Sequence, residues 1–481
     1  MLPRAAPFIG RKAELQALRD LRQQPGSHIT VVYGRRRVGK TALVNHAYAG
    51  ELLLSFEGLE DKSKQQQIRN FIFQLEQQTQ TRLEQKSAIR EWREALVKLV
   101  PFVRDKRAVI LLDELQWMAN YRSDLVSDLK MVWEQYLSKA GRITLVLCGS
   151  VASFMEQKVL RSKALYGRTS LTIHLQPFLL ADTGQLLPSF ASDDVLLAQL
   201  LVGGIPQYLN LLAARQSIAL GLDELAFSPD GFFFDEFERI FVSHFASSEH
   251  YGSIIDLLAK KSAGLSRAEI QDSLNLPPGG ELTRNLDNLE SAGFIASVTP
   301  FDRGANTRLA RYLLGDAFMR FYFEFLRPYR RKGTHRVHYF TNFILPSARF
   351  RSWLGRSFEL LCLEHRNVIA TLLGFSGIEY SAGPWFQQGK RGLLEGAQLD
   401  LVFGRADGVL TVCEMKYRTG PIGLEVVRET ENKLARIPVL EKRTVQKVLI
   451  TRSEPTNELK KSSYFSHIIL ASDLETSRRG Y

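Results

Sequence analysis

Cysteine is scarce in this chain, with only Cys148, Cys362 and Cys413 among 481 residues. They form no Cys-x-x-Cys pair, which argues against a disulfide framework and against a zinc site. No uninterrupted apolar stretch approaches the roughly 18 residues that a membrane span requires, and the N-terminus lacks the apolar core of a signal peptide. We therefore expect a cytoplasmic protein in a reducing compartment, with no attachment to a membrane.

Acidic residues are also in deficit, because 63 Lys and Arg outnumber 51 Asp and Glu and give a net charge of +12. Such an excess favours polyanionic partners. It is concentrated between Arg327 and Arg351, where basic and aromatic side chains alternate and no Asp or Glu occurs. Two interpretations stay open for this stretch. It either holds a phosphate backbone and stacks bases, or it is a solvated linker with buried aromatic residues.

The main motif lies at residues 29–41, where a short apolar run ends in the pattern Gly-x-x-x-x-Gly-Lys-Thr. Glycines let backbone N–H groups turn toward phosphate oxygens, and the positive end of the following helix adds to the attraction. Lys40 would reach the β- and γ-phosphates, and the Thr41 hydroxyl would ligate Mg²⁺. The predicted phosphate-binding loop comprises Gly34, Arg35, Arg36, Arg37, Val38, Gly39, Lys40, Thr41 and Ala42.

Two further apolar runs end in polar residues that suit the same site. Residues 108–112 read as a buried parallel strand that ends in Asp113 and Glu114. Asp113 is expected to hold the Mg²⁺ shell, and Glu114 to polarise the attacking water. The strand at residues 143–149 leads to Ser150, a candidate sensor of the γ-phosphate. Arg168 would contact the γ-phosphate of its own or a neighbouring subunit, or else is a structural arginine.

Together with this loop, Phe8, Ile9, Gly10 and Arg11 resemble the opening segment of the AAA+ and STAND-type ATPases, which wraps the adenine. Residues 203–206, Gly-Gly-Ile-Pro, resemble the Gly-x-Pro element of the STAND-type lid. That resemblance implies Pro206 as an adenine contact and ATP and Mg²⁺ as cofactors. Residues 250–315 have the element order of a winged helix, with a capping box from Ser266 to Glu269 and two strands at 294–298 and 308–314. Its acidic third helix disfavours direct reading of DNA.

A second group of candidate residues lies near the C-terminus. Glu359 falls in a helical stretch, Asp400 opens an apolar strand, and Glu414 and Lys416 share one face of another strand. If the strands are neighbours, Asp400 and Glu414 can ligate a divalent cation and orient a water toward a phosphodiester. The order Glu, Asp, Glu-x-Lys resembles the PD-(D/E)XK nuclease superfamily. A surface ladder of Glu and Lys is the alternative.

Nearly the whole chain resembles the archaeal-type ATPases of the STAND/AAA+ kind, which end in a nuclease-like domain. The resemblance implies an α/β fold with a P-loop parallel-sheet core, a helical lid, a winged helix and a C-terminal restriction-endonuclease-like domain. The expected function is an ATP-driven switch that controls a nucleic-acid-binding domain, and DNA is the expected nucleic acid. Whether this domain is also a Mg²⁺-dependent nuclease stays open, as does assembly into a homo-oligomer. A non-catalytic, ATP-bound scaffold with a degenerate nuclease domain is the alternative. The expected domains are a core at 1–176, a lid at 177–245, a winged helix at 246–318, a basic aromatic connector at 319–351 and a nuclease-like domain at 352–481.

Overall fold

The computed structural model describes residues 8–84, 89–122, 124–245, 249–302, 309–333, 336–387, 397–437 and 443–476. The chain divides into two compact units, each of which is described by itself. The first comprises Met1–Pro177 with Ile240–Ala246, and the second comprises Phe178–Arg239 with Ser247–Tyr481. Among the described helices, none is both long and apolar enough to span a bilayer.

The first unit is built on a five-stranded sheet in which all neighbouring strands are parallel. The spatial order is β2-β3-β4-β1-β5. This arrangement confirms the expected α/β fold with a parallel core. The strands are β1 His28–Tyr33, β2 Leu52–Glu57, β3 Arg107–Asp113, β4 Arg142–Gly149 and β5 Thr169–His174.

Strands β1, β3 and β4 are buried on both faces, which explains why they are largely apolar rather than alternating, whereas the edge strand β5 alternates and is partly exposed. Within β3, Ile110 and Leu112 belong to one hydrophobic cluster, whereas Val109 and Leu111 belong to a second one. Helices supply the cover. They are α1 Lys12–Gln23, α2 Lys40–Ala47, α3 Lys64–Thr79, α4 Trp92–Val97, α5 Val100–Val103, α6 Leu115–Met118, α7 Asp124–Val132, α8 Ser138–Ala140 and α9 Ala152–Phe154.

The second unit begins with helices and continues with a small antiparallel sheet. The helices before this sheet are α10 Leu180–Leu186, α11 Ser192–Val202, α12 Pro206–Ala213, α13 Ile218–Ala226, α14 Glu236–Phe245, which extends into the first unit, and α15 Glu249–Ala259. The sheet has the order β6-β8-β7, and two more helices lie between β6 and β7 along the chain. These elements are β6 Leu265–Ser266, α16 Arg267–Ser273, α17 Glu281–Ser291, β7 Ile295–Val298 and β8 Arg311–Leu314.

The predicted capping box is present, because Ser266 and Glu269 satisfy each other's backbone N–H groups at the start of α16. The strand predicted at 294–298 begins one residue later than expected. The strand predicted at 308–314 is observed from Arg311 onward, and Arg308 lies outside the described residues.

Three aromatic side chains of the basic stretch belong to a packed core, as the second of the two interpretations expected. Tyr329, Phe340 and Phe350 are buried, and Phe227, directly after α13, contacts both Tyr329 and Phe340. These three rings are therefore not available to stack bases, whereas Phe343 is 47% exposed, so base stacking by the rest of the stretch stays a prediction. The helical segments here are α18 Ala317–Phe321, a π-helical turn Tyr322–Leu326, α19 Arg327–Lys332 and a second π-helical turn Phe340–Ile344.

The arginines of the same stretch pair with acids from other parts of the second unit. Arg327 contacts Asp256, and Arg330 contacts Asp235 and Glu238 with N–O distances of 2.9 and 2.6 Å. Arg349 lies 2.6 Å from Glu324. Three of the seven Lys and Arg side chains between Arg327 and Arg351 are thus paired with acids in the folded unit.

The second unit ends in another five-stranded sheet, in the order β13-β12-β11-β10-β9. The pairs β9 with β10 and β10 with β11 are antiparallel, whereas β11 with β12 and β12 with β13 are parallel. The elements in chain order are α20 Ala348–Glu364, α21 Arg366–Leu372, β9 Tyr380–Gln387, β10 Ala397–Arg405, β11 Leu410–Lys416, α22 Glu425–Leu434, β12 Val445–Thr451, α23 Asn457–Lys461, β13 His467–Leu470 and α24 Ala471–Thr476.

Candidate functional site

The loop between β1 and α2 has the backbone conformation that its glycines permit. Gly34 has a φ of 149°, and a Cβ atom there would lie 2.3 Å from the carbonyl oxygen of Leu175. Gly39, with a φ of 95°, is the residue directly before α2. The first N–H groups of α2 have no preceding helical carbonyl to bond, so they are available to an anion. The loop therefore has the backbone geometry that the predicted phosphate site requires.

We expect Gly34→Ala to destabilise the first unit. Forcing a side chain into this backbone region costs roughly 1–3 kcal/mol, and the contact with Leu175 adds to that. Gly26→Ala is the matched control, because Gly26 also has a positive φ, of 88°, but a Cβ atom added there would meet nothing within 4 Å. Chemical denaturation should show a larger loss of unfolding free energy for Gly34→Ala, and equal losses would contradict this account.

Lys40 is held inside the loop. Its side chain is 5% exposed, and its Nζ donates to the carbonyl oxygens of Gly34 and Arg35 at 3.0 and 3.1 Å. These two carbonyls keep the ammonium at the loop, where it can exchange them for the phosphate oxygens of a nucleotide. Of the other loop residues, Arg35 and Val38 are buried, Arg36 places its guanidinium 5.4 Å above the Trp117 ring, and Arg37 and Ala42 complete the turn into the helix.

Thr41 and Asp113 meet at the carboxyl end of the sheet. The Thr41 hydroxyl donates to Oδ2 of Asp113, while the backbone N–H of Glu114 donates to Oδ1 at 2.9 Å. Burial raises the pKa of Asp113, and the hydrogen bond from Thr41 opposes that rise. A hydroxyl and a carboxylate oxygen are hard ligands of the kind that Mg²⁺ prefers, so these two side chains fit the ion that accompanies a nucleoside triphosphate.

Glu114 and Ser150, predicted separately, are in direct contact. Ser150 Oγ donates to Oε2 of Glu114 at 2.7 Å, and the Gln116 side-chain amide donates to the same oxygen at 2.6 Å. Gln116 is fully buried and also reaches Ser150 Oγ at 2.9 Å. The carboxylate is thus oriented by two donors. Sequence reasoning missed Gln116, although a lone amide within the apolar helix α6 was a usable signal.

Ser150→Ala should lower kcat for ATP hydrolysis by about tenfold to a hundredfold, since a hydrogen bond to a charged group is worth about 1.5–3 kcal/mol. Because Ser150 acts through Glu114, we expect it to behave as a positioning residue and to leave KM for ATP unchanged. Steady-state phosphate release measures both constants, and Ser150→Thr should restore kcat. A rise in KM with kcat unchanged would assign Ser150 to nucleotide binding instead.

A third carboxylate, which sequence reasoning missed, stands at the same end of the sheet. Glu57 ends β2 and is the register partner of Asp113. Burial, and then the charges of Asp113 and Glu114, raise the pKa of Glu57. The signal was present, since β2 ends in an acid in the same way as β3.

Arg168 pairs with Glu134 within the first unit. Its Nη2 lies 2.6 Å from Glu134 Oε1, and the hydrogen bond lowers the pKa of Glu134. This contact matches the structural alternative for Arg168. Contact with a γ-phosphate stays a prediction.

The N-terminal segment lies against the loop. The Phe8 ring stacks on His46 of α2 with centroids 4.4 Å apart, and Arg11 donates to the carbonyl oxygen of Val38 at 3.3 Å. Gly10 has a φ of 67°, and Ile9 precedes it. Pro206 opens α12 in the second unit, and its adenine contact stays a prediction.

Residues 8–212 match a family described as an ATPase domain predominantly from Archaea. This part of the chain is therefore similar to an archaeal-type ATPase domain. The matched range includes the loop, Asp113, Glu114 and Ser150, and it extends through most of α12. The match supports the prediction of a P-loop ATPase, because it extends well beyond the loop motif.

Individual relatives are more distant. The chain is 25% identical to the uncharacterized protein MJECL04 of Methanocaldococcus jannaschii over 322 aligned residues. The aligned region covers 67% of this chain and 69% of the relative. The Walker-type ATPase PABY2304 of Pyrococcus abyssi is similar over 66% of this chain and 96% of its own, with 16% identity and a TM-score of 0.49. The ORC2 protein of Aeropyrum pernix, solved in ADPNP-ADP complexes, is similar over 68% of this chain and 97% of its own, with 17% identity and a TM-score of 0.45. Both TM-scores are below 0.5 and assign neither an activity nor a partner to this chain.

Outside the ATPase domain, the C-terminal candidates converge on adjacent strands. Leu401 of β10 pairs with Cys413 of β11, so Asp400 and Glu414 are neighbours across the two strands. Burial, together with the charge of Glu414, raises the pKa of Asp400. Burial and the charge of Asp400 raise the pKa of Glu359, on α20, to about 7. The four residues predicted from sequence, Glu359, Asp400, Glu414 and Lys416, therefore form one electrostatic cluster.

Two lysines, one of them missed by sequence reasoning, hold the Glu414 carboxylate, which is 1% exposed. Lys416 Nζ lies 2.9 Å from Glu414 and 2.7 Å from Glu429. Lys433 Nζ, from α22, lies 2.8 Å from both Glu414 carboxylate oxygens and 3.8 Å from Asp400. Within the parts of the chain that the structure describes, no three His, Cys, Asp or Glu side chains come together as a metal site. The predicted metal ligands Asp400 and Glu414 are adjacent, but they are paired with lysines.

Proposed function

We propose that this chain is an ATP-driven switch, in which nucleotide binding and hydrolysis in the archaeal-type ATPase domain control a C-terminal domain that binds nucleic acid. The observation that carries the ATP part is the meeting of Lys40, Thr41 and Asp113, which converge where the phosphate-binding loop opens. Thr41 and Asp113 would hold Mg²⁺, which when bound neutralises charge that develops on the phosphates.

The chain's own residues supply the remaining functions. Lys40 binds the phosphate tail, and the loop N–H groups orient it. Glu114 accepts a proton from the attacking water, since Ser150 and Gln116 orient its carboxylate through one oxygen. Arg168 would contact the γ-phosphate on release from Glu134, within the same subunit or across a homo-oligomer.

Contacts inside the second unit support control of the C-terminal domain. Arg452, directly after β12, binds Asp193 of α11 through two hydrogen bonds of 2.9 and 2.7 Å. The backbone N–H of Leu180 in α10 donates to His365 at 2.9 Å, and His365 ends α20, which carries Glu359. Movement of α10 or α11 would therefore displace the elements that carry the C-terminal cluster. The helices after Phe178 act in this proposal as the lid.

Binding of labelled single- and double-stranded DNA, measured without nucleotide, with ADP and with a non-hydrolysable ATP analogue, tests the switch. We expect affinity to change by about 5-fold to 150-fold between nucleotide states, the usual range of allosteric coupling. Lys40→Ala should abolish that difference while leaving nucleotide-independent binding in place. Equal affinity in all three states would contradict the proposal.

Two candidate outputs differ in whether the nucleic acid is cut. Convergence of Glu359, Asp400, Glu414 and Lys416 favours a nuclease of the PD-(D/E)XK kind. The ion pairs on Glu414 favour the other candidate, a nucleic-acid-binding scaffold with a degenerate nuclease domain. Incubation of plasmid and single-stranded DNA with Mg²⁺ separates them. Cleavage that is lost in Lys416→Ala supports the nuclease, whereas salt-sensitive binding with no cleavage supports the scaffold.

The element order of residues 249–314 suits a winged helix that packs within the protein as a relay. Its basic side chains support this use rather than contact with DNA, since Arg267 donates to Thr283 and Gly279, and Arg311 to Ala263 and Gly264. These contacts occupy the guanidinium groups inside the module.

A further inference from the structure

Lys433 occupies an unusual position in the C-terminal cluster. Its Nζ is equidistant from the two carboxylate oxygens of Glu414, at 2.8 Å each, and Asp400 lies 3.8 Å away on the neighbouring strand. Nuclease sites hold a divalent metal ion in a similar way, with the oxygens of one carboxylate bound to the cation and a second carboxylate close to it. In this chain a lysine ammonium stands there.

The backbone on either side keeps Lys433 in place. Thr430, one turn earlier on α22, is buried and donates to the carbonyl oxygen of Val426 at 2.8 Å. Leu434, the last residue of α22, and Ile437, three residues later, pack with Leu399 and Val402 of β10 in one hydrophobic cluster. Since these contacts fix the end of α22 over β10, the lysine stem has a short and defined path to Asp400 and Glu414.

A second ammonium also pairs with Glu414, and Glu359 adds a further carboxyl group beside Asp400. Lys416 bridges Glu414 and Glu429, and Arg418 also contacts Glu429 at 3.1 Å. Asp400, Glu414 and Glu429 thus face Lys416, Lys433 and Arg418. A divalent cation entering between Asp400 and Glu414 would displace Lys433 or stand beside it, and like charges at such distances repel strongly in a buried site. The donor set therefore does not fit a divalent ion.

We infer that Lys433 replaces the divalent cation in this nuclease-like fold, so that the C-terminal cluster is a metal-free site held together by lysines. The second unit then contacts nucleic acid without metal-dependent cleavage. The surroundings of Asp400 and Glu414 support a binding domain whose acidic pair is used for structure.

Mn²⁺ binding by the full-length chain, followed by electron paramagnetic resonance without nucleotide, tests this inference. The variants are Glu414→Gln, Lys433→Met and the double variant, and only Mn²⁺ binding that depends on Glu414 is scored. We expect the parent chain and Glu414→Gln to bind Mn²⁺ equally. Lys433→Met should gain a Mn²⁺ site, and the double variant should lose that gain.

Lys433→Arg is the charge-conserving control and should gain no site. Binding by the parent chain that Glu414→Gln removes would overturn the inference, as would a folded Lys433→Met that gains nothing. If Lys433→Met does not fold, the comparison of the parent chain with Glu414→Gln still decides the matter. Because nucleotide is left out, a failure of the ATP-switch proposal would not change these results.

Discussion

Lys40→Ala is expected to lower ATP turnover by about a hundredfold to a thousandfold, the usual loss when one preorganised cationic or hydrogen-bond donor is removed from a transition state. The side chain is buried in the loop, with Gly34 and Arg35 carbonyl oxygens as its partners. Alanine would leave these acceptors in place but remove the charge that grips the β- and γ-phosphates. Phosphate release at saturating ATP measures the change.

Lys62→Ala is a matched control, because Lys62 is an exposed lysine of the same unit outside the loop. It should turn over ATP at the parental rate. The unfolding temperature of both variants, compared with the parent chain, shows whether lost activity reflects lost structure. Normal ATP hydrolysis by a folded Lys40→Ala would refute the switch.

Glu114→Gln should lower turnover by about a hundredfold to ten-thousandfold, the contribution of a positioned general base, while ATP still binds. Glutamine has nearly the same shape and keeps an oxygen acceptor for Ser150 and Gln116, so the site should stay assembled. It cannot take a proton from water. Turnover and equilibrium binding of a fluorescent ATP analogue, measured on the same preparation, separate the two effects.

Glu57→Gln is the companion variant, since Glu57 is a second carboxylate next to Asp113 at the same end of the sheet. We expect its turnover to fall less than tenfold, because Glu57 lacks the Ser150 and Gln116 contacts that orient Glu114. If Glu57→Gln costs as much as Glu114→Gln, the assignment of the base is wrong.

Most of the first unit could be predicted from local sequence. The short apolar run that begins at residue 29 is observed as the strand His28–Tyr33, and the strand expected to end in Asp113 is observed as Arg107–Asp113. Such strands are readable because a parallel sheet buried on both faces requires continuous apolar runs. The family match over residues 8–212 supports the prediction of an ATPase, and the roles of the individual loop residues stay predictions.

Contacts between residues far apart in the sequence were harder to predict. Arg330 and Asp235 are 95 positions apart, so their ion pair could not be predicted from the local sequence of the basic stretch. Gln116 and Lys433 were missed for a related reason. Neither belongs to a motif, and their roles depend on which side of a helix faces Ser150 or Glu414.

The amino-acid sequence by itself determined the phosphate-binding loop and the acids that end the neighbouring strand, because consecutive residues encode a strand, a glycine turn and a helix start. It also supplied Asp400, Glu414 and Lys416 as candidates. Only the tertiary structure decided what surrounds them. Strand register made Asp400 and Glu414 neighbours, and the packing of α22 on β10 delivered the Lys433 ammonium to both, since a charge pair across 19 positions exists only once the chain has folded.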